Sequence, residues 1–232
     1  MRRPTWKTVS TLVTTIVIAG CQDSPVTAPS TSAVPSMSAV FAPEGRPHLS
    51  LDRLDVAATT ADFKVGPSGG VYFIGRNAVV FPAYSICDPA RSSYGPGTWD
   101  DRCETIREAI TIHAVLTKSA GGNLLDFTPA LRFRPSDGPS RWVWLYMYTP
   151  SAVGASDLSI FSILYQASPN APLIDETVFD RSLRTYVDAR TGFTSRRIKH
   201  FSGYVPITSR VCDPLTGVCT EIPDNLPQDT SK

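Results

Sequence analysis

Near its carboxy-terminal end the chain reads Arg-Arg-Ile-Lys-His-Phe-Ser-Gly-Tyr, which sets His200 two residues before Ser202 with Phe201 between them. Alternate residues of an extended strand project to the same face, so the imidazole can reach the hydroxyl. A neighbouring base is what a weak hydroxyl nucleophile requires. Attack on a peptide carbonyl would also call for an oxyanion donor and a strained bond. The same alternation equally describes an ordinary closing strand, with Phe201 and Val205 toward one side and Ile198, His200, Ser202 and Tyr204 toward the other. Gly203 then permits a close approach or bulge and loosens the strand against strain.

Other constellations lack their parts. There is no Gly-x-Ser-x-Gly elbow, no His-Glu-x-x-His and no phosphate-binding glycine loop, and the chain has 3 histidines, so hydrolase and metalloenzyme chemistry is not expected. No cofactor or metal is expected either. His113 falls mid-strand, where a satisfied or exposed histidine is the rule. Asp175, Glu176 and Asp180 fit no calcium-loop spacing and are expected to pair with Arg181 or Arg184. Arg132, Arg134 and Arg141, and likewise Arg196, Arg197 and Lys199, include alternate strand positions and read as solvated faces.

The chain has 5 cysteines. With Cys21 set aside for the reason given below, Cys87, Cys103, Cys212 and Cys219 form an even set in a chain read as exported, which argues for disulfides. Three pairings are open, and closeness in sequence favours Cys87 with Cys103 and Cys212 with Cys219. Each pair begins Cys-Asp-Pro, which is turn chemistry. The spacings contain no Cys-x-x-Cys and do not suit zinc. Inside the first ring, Tyr94 and Trp99 form a candidate contact surface for an envelope protein or a glycan, unless Trp99 packs inward and plugs the loop.

The amino-terminal residues explain why the chain is read as exported. Arg2, Arg3 and Lys7 precede an uncharged apolar run from Val9 to Ala19, too short for a permanent membrane span and suited to a signal-peptide core over 1–20. The sequence Ile18-Ala19-Gly20-Cys21 resembles the lipobox of bacterial lipoproteins. That resemblance implies fatty acylation of Cys21, cleavage before it and a membrane partner held through lipid. Gln22 after the cysteine implies the outer membrane of a bacterial envelope. Losing the leader removes three of 22 basic residues and none of the 21 acidic ones. The mature chain is thus slightly acidic, with no basic field for nucleic acid.

The elements that would position these residues are strands. Residues 21–62 begin with a Ser/Thr/Ala/Pro-rich tether, and His48–Phe63 reads as a short helix or more tether. Residues 63–210 carry the folded domain, and 211–232 a disulfide-stapled tail. Val71–Pro82 reads as a hairpin about Gly75-Arg76-Asn77. Ile110, Ile112, Ala114 and Leu116 share one face of a half-buried strand, and Phe161, Ile163 and Tyr165 share another. Arg141–Tyr148, continuous and aromatic, suits a strand covered on both sides. Further strands are expected at Leu131–Arg134, Ser182–Asp188 and Arg196–Thr208. Many short strands broken by turns predict an all-β antiparallel β-sandwich.

The opening Gly66-Pro67-Ser68-Gly69-Gly70 turn with its hairpin, and the closing His200-Phe201-Ser202, resemble the ZU-five domain, a β-sandwich of cell-surface receptors and ankyrins. The lipobox, the loop ending in Trp99-Asp100 and the terminal His-Phe-Ser-Gly-Tyr together resemble bacterial ZU-five-like lipoproteins. The resemblance implies a non-enzymatic interaction or structural module. Its self-cleaving members imply the alternative of a cut between Phe201 and Ser202, with Ser202 as nucleophile and His200 as base. Metabolic fatty-acid labelling is expected to mark the chain at Cys21. An unlabelled chain with its signal uncut in the reducing interior would overturn this address.

Overall fold

A computed structural model of the chain describes residues 40–41, 47–48, 59–119, 122–208 and 210–221. The signal sequence, the lipobox with Cys21, nearly all of the tether and the last eleven residues lie outside the described residues. Apart from a two-residue ladder at Val40–Phe41 and Pro47–His48, the described chain forms two antiparallel sheets.

The strands are β1 (Thr60–Val65), β2 (Gly70–Ile74), β3 (Asn77–Phe81), β4 (Ile110–Ser119), β5 (Gly122–Thr128), β6 (Val143–Tyr148) and β7 (Phe161–Gln166). They continue with β8 (Leu173–Ile174), β9 (Tyr186–Asp188), β10 (Phe193–Ile198), β11 (Gly203–Thr208), β12 (Arg210–Cys212) and β13 (Val218–Glu221). The larger sheet has the order β12-β13-β8-β7-β11-β5-β4-β1 and the smaller β9-β10-β6-β3-β2. The expected all-β sandwich is therefore what the chain forms.

Period-two alternation determines which side chains fill the space between the sheets. Ile112, Ala114, Leu125, Phe127 and Ile163 of the large sheet meet Ile74, Val79, Leu145 and Met147 of the small one, each at most 2% exposed. The β2–β3 hairpin turns at Gly75, whose φ of 56° favours glycine. β6 is covered on both faces, as its composition requires. Val143, Leu145 and Met147 point into the main core, while Trp144 and Tyr146 join a second cluster with Val71 and Phe193. Both expected disulfides are closed, Cys87–Cys103 and Cys212–Cys219, with Cα atoms 5.6 and 4.0 Å apart. The second staples the β12–β13 hairpin, so residues 210–221 extend the large sheet and the sandwich runs past Arg210.

Three strand expectations change. Leu131–Arg134 makes only isolated bridges, Ile86 with Phe133 and Arg132 with His200. Of Ser182–Asp188 only β9 is strand, and Arg181–Leu183 is a 3-10 turn. Arg196–Thr208 is not one strand. β10 belongs to the small sheet and β11 to the large one, and Lys199–Ser202 crosses between them.

The crossing resets the alternation. Phe201 and Val205 do not share a side: Phe201 enters the core between the sheets and stacks on Phe127 at 4.2 Å, whereas Val205 joins Leu124, Leu164 and Ile207 on another cluster. Gly203 does not loosen this junction. A Cβ built there would lie 2.4 Å from the Gln166 carbonyl oxygen and 2.5 Å from Leu124 Cδ1, so glycine is what lets β11 pair closely with β7. Gly203→Ala is expected to cost about 1–3 kcal/mol, read as a lower urea midpoint with an unchanged slope.

Candidate functional site

The sheet crossing brings the sequence-predicted residues together. His200 is 2% exposed and Phe201 fully buried. Phe201 fixes the crossing as an apolar anchor, with Phe133 and Phe81 edge-on at 5.0 and 5.6 Å. The backbone there is paired to the bridging segment: Phe201 N–H donates to the Leu131 carbonyl at 2.7 Å and Phe133 N–H to the Lys199 carbonyl at 2.8 Å.

Around His200 the polar groups form an ordered chain. Glu176 Oε1 lies 3.0 Å from His200 Nε2, and Glu176 Oε2 accepts from Arg196 Nη2 at 2.8 Å. A carboxylate only accepts, so Nε2 carries the hydrogen, and in the neutral ring Nδ1 is left as an acceptor. Nδ1 faces Ser202 Oγ at 3.4 Å. The hydroxyl hydrogen has a second acceptor, the Phe201 carbonyl oxygen, at 2.8 Å. Tyr94, arriving from the disulfide-closed loop, donates its hydroxyl to that same carbonyl at 2.5 Å and lies 3.1 Å from Ser202 Oγ. Burial raises the Tyr94 phenol above its ordinary value, which keeps it a protonated donor. Tyr204 donates to the His200 carbonyl at 2.8 Å, and burial holds its phenol well above the ordinary range.

Trp99 closes the top. Its ring stacks on His200 at 4.2 Å and meets Tyr94 edge-on at 4.8 Å. The loop is held down by Arg132, whose Nη1 donates to the Thr98 and Asp101 carbonyls at 2.5 and 2.6 Å. The two loop aromatics expected as a contact surface therefore turn much of their area and one hydroxyl toward the His-Phe-Ser crossing, while Tyr94 keeps 44% of its surface exposed.

The cations expected on solvated faces are mostly interior. Arg196 has no exposed surface, and Arg132, Arg197 and Lys199 are at most 9% exposed, whereas Arg134 and Arg141 do face solvent. Alternation identified faces but not the acids that arrive on them from distant segments. Asp180 takes Lys199 at 2.7 Å and Arg197 at 4.0 Å, Asp100 takes Lys199 at 2.6 Å, and Asp175 takes Arg210 at 3.1 Å. The acids of 175–180 thus pair with these residues and with Arg196, not with the neighbouring Arg181 and Arg184. His113, by contrast, is an exposed strand residue 2.6 Å from Asp62.

Glu176 is the site residue that sequence reasoning missed in this role. It lies 24 positions before His200, and no local spacing signals the partnership. Burial pushes its carboxyl up, but the Arg196 charge and the hydrogen bonds from Arg196 and His200 outweigh this, leaving it below its ordinary value and ionised. Together the groups supply a hydroxyl beside a base, a carboxylate behind the base and a donor on the adjacent carbonyl. Tyr84 is the one non-glycine residue with positive φ among the described residues, so no such feature marks Phe201 or Ser202.

No family model, curated protein or solved structure matches this chain.

Burial pushes the Asp180 carboxyl up, but Lys199 and the Ser182 hydroxyl and amide more than offset it, bringing it from 3.8 down to about 2. A carboxyl whose folded pKa is depressed stabilises the fold fully above its unfolded value, and the contribution fades as pH falls through the folded one. Stability is expected to drop by about 1–2 kcal/mol between about pH 4 and 2 through this group, after discounting for solvent screening. In urea titrations across that range, Asp180→Asn should flatten the fall. An unchanged profile would remove the assignment.

Proposed function

We propose that the chain is a lipid-anchored lipoprotein of a bacterial envelope, at the outer membrane, whose ZU-five-like sandwich acts as a non-enzymatic interaction or structural module. The observation that carries this reading is the pair of closed disulfides. Such bonds persist in oxidising compartments outside the cytosol, which agrees with the leader and with Cys21 as the acylated residue. The dense packing over His200 supports a module in which the crossing locks the two sheets. Trp99 covers the imidazole, and Gly203 is accounted for by close strand pairing alone.

One specific arrangement favours a second reading, self-cleavage between Phe201 and Ser202. In this reaction Ser202 Oγ attacks the Phe201 carbonyl carbon while His200 Nδ1 takes the hydroxyl proton. Tyr94 hydrogen-bonds the carbonyl oxygen as it gains negative charge, as an oxyanion donor does. The carbon–nitrogen bond then breaks, the proton passes from His200 to the departing Ser202 amine, and an ester joins Phe201 to Ser202 Oγ. Water hydrolyses that ester to a Phe201 carboxylate and a free Ser202. Glu176 keeps the ring oriented throughout. The distances that support it are the 2.5 Å Tyr94 contact and the 3.4 Å approach of Oγ to Nδ1.

Denaturing mass spectrometry of the purified mature protein separates the readings. The module reading expects one intact chain with all four non-lipidated cysteines oxidised. Fragments ending at Phe201 and beginning at Ser202, lost in Ser202→Ala and slowed in Tyr94→Phe, would replace it with self-cleavage.

A further inference from the structure

On another part of the surface, Tyr84 stands between two adjoining clefts. One of about 700 Å³ is lined by Tyr84, Arg91, Glu104, Arg107 and Arg134 among others, and one of about 500 Å³ by Tyr84, Arg134, Asp137 and Arg141. Tyr84 and Arg134 line both, so the two volumes form one groove crossed by an aromatic ring. Four guanidinium groups face two carboxylates there, leaving the groove positive in a chain that is otherwise near neutral.

Packing does not account for Tyr84. It is 58% exposed, and its φ of 56° lies in the left-handed region that a bulky side chain occupies at an energetic cost. The conformation is imposed from both sides: Tyr84 N–H donates to the Pro67 carbonyl at 2.7 Å, and Arg134 N–H to the Ser85 carbonyl at 2.7 Å. The floor is equally fixed. Cys87–Cys103 crosses beneath, Asp88 N–H donates to the Glu104 carbonyl at 2.8 Å and Ile106 N–H to the Ile86 carbonyl at 3.1 Å. A strained turn thus holds an aromatic ring out of the core on a rigid base.

The charges beside it are unequally occupied. Glu104 accepts from Arg91 at 2.7 Å and lies 3.9 Å from Arg107. The Arg134 and Arg141 side chains have no hydrogen-bond or ion-pair partner among the described residues. Guanidinium forks match carboxylate and phosphate oxygens, and an exposed phenol ring offers a flat apolar face with a polar edge. A ligand that uses both carries a flat, partly apolar ring next to an anion.

We propose that the Tyr84 groove binds an anionic saccharide, with a sugar ring seated on Tyr84 and its carboxylate or phosphate held by Arg134 and Arg141. This rests on the interaction-module reading and names its ligand class.

The test uses the mature full-length protein in detergent, with four probes followed by fluorescence anisotropy. These are a labelled oligogalacturonate for the carboxylate source, a phosphorylated mannan oligosaccharide for the phosphate source, a neutral maltooligosaccharide, and polyglutamate as charge without sugar. One of the two anionic saccharides is expected to bind more tightly than the other probes. Tyr84→Ala and Arg134→Ala should each weaken that binding about tenfold or more. Tyr84→Gly relieves the turn, so it should raise the melting temperature by about 2–4 °C while losing binding to the same degree. The inference is overturned if neither anionic saccharide binds, if polyglutamate binds as well, or if binding survives both alanine substitutions. Failure of both anionic saccharides to bind, together with capture of a partner through a surface that Tyr84→Ala leaves intact, would overturn this inference and spare the module reading.

Discussion

A guanidinium with no exposed surface must meet a carboxylate inside the protein, and the Arg196–Glu176 pair sets the geometry around it. Arg196 sits on β10 of the small sheet, while Glu176 opens the 3-10 turn that follows β8 of the large one. Joining them draws the β8–β9 connection across the end of the sandwich. The remaining carboxylate oxygen then fixes His200, and Arg196 donates besides to the Ile163 carbonyl on β7 at 2.6 Å. One ion pair therefore ties together both sheets, the crossing and the imidazole. Removing either partner would leave the other charged and buried, which is far costlier than the net worth of the pair.

The disulfide-closed loop depends on the same crossing. Trp99 rests on His200, Tyr94 reaches the Phe201 carbonyl, and Asp100 meets Lys199. A short ring with few backbone pairs of its own gains its order from these contacts and from Arg132 beneath it. Its aromatic residues are thereby part of the lock between the sheets. A phenol placed on a carbonyl and a carboxylate placed behind an imidazole are good packing and also the parts of an acyl-transfer site. Both features of the arrangement come from the same need to satisfy polar groups at a buried chain crossing.

Polar chemistry is divided between the interior and one rim. Near the crossing the buried Arg196, Arg197 and Lys199 are matched by acids and Arg132 by backbone carbonyls, whereas Arg134 and Arg141 near Tyr84 remain solvated and unmatched among the described residues.

The sandwich is legible in the sequence, because hydrophobic patterning is a local property: the faces of β4 and β7 follow from period two, and the two-sided burial of β6 from its unbroken apolar and aromatic run. Closeness in sequence favours Cys87 with Cys103 and Cys212 with Cys219 among three open pairings, and the fold closes those two. His200 and Ser202 are singled out by their spacing. Tertiary structure decided the rest. Alternation carries no signal for a chain that leaves one sheet for another, so the pattern alone makes Arg196–Thr208 one strand and puts Phe201 on the side of Val205. Nor does local pattern say which cation is buried, because that depends on an acid arriving from elsewhere, as Glu176 does for Arg196 and His200. Tyr84 gives no sign in the sequence either, as its turn is pinned by two distant segments, the Pro67 carbonyl that accepts from Tyr84 N–H and the Arg134 N–H that donates to the Ser85 carbonyl.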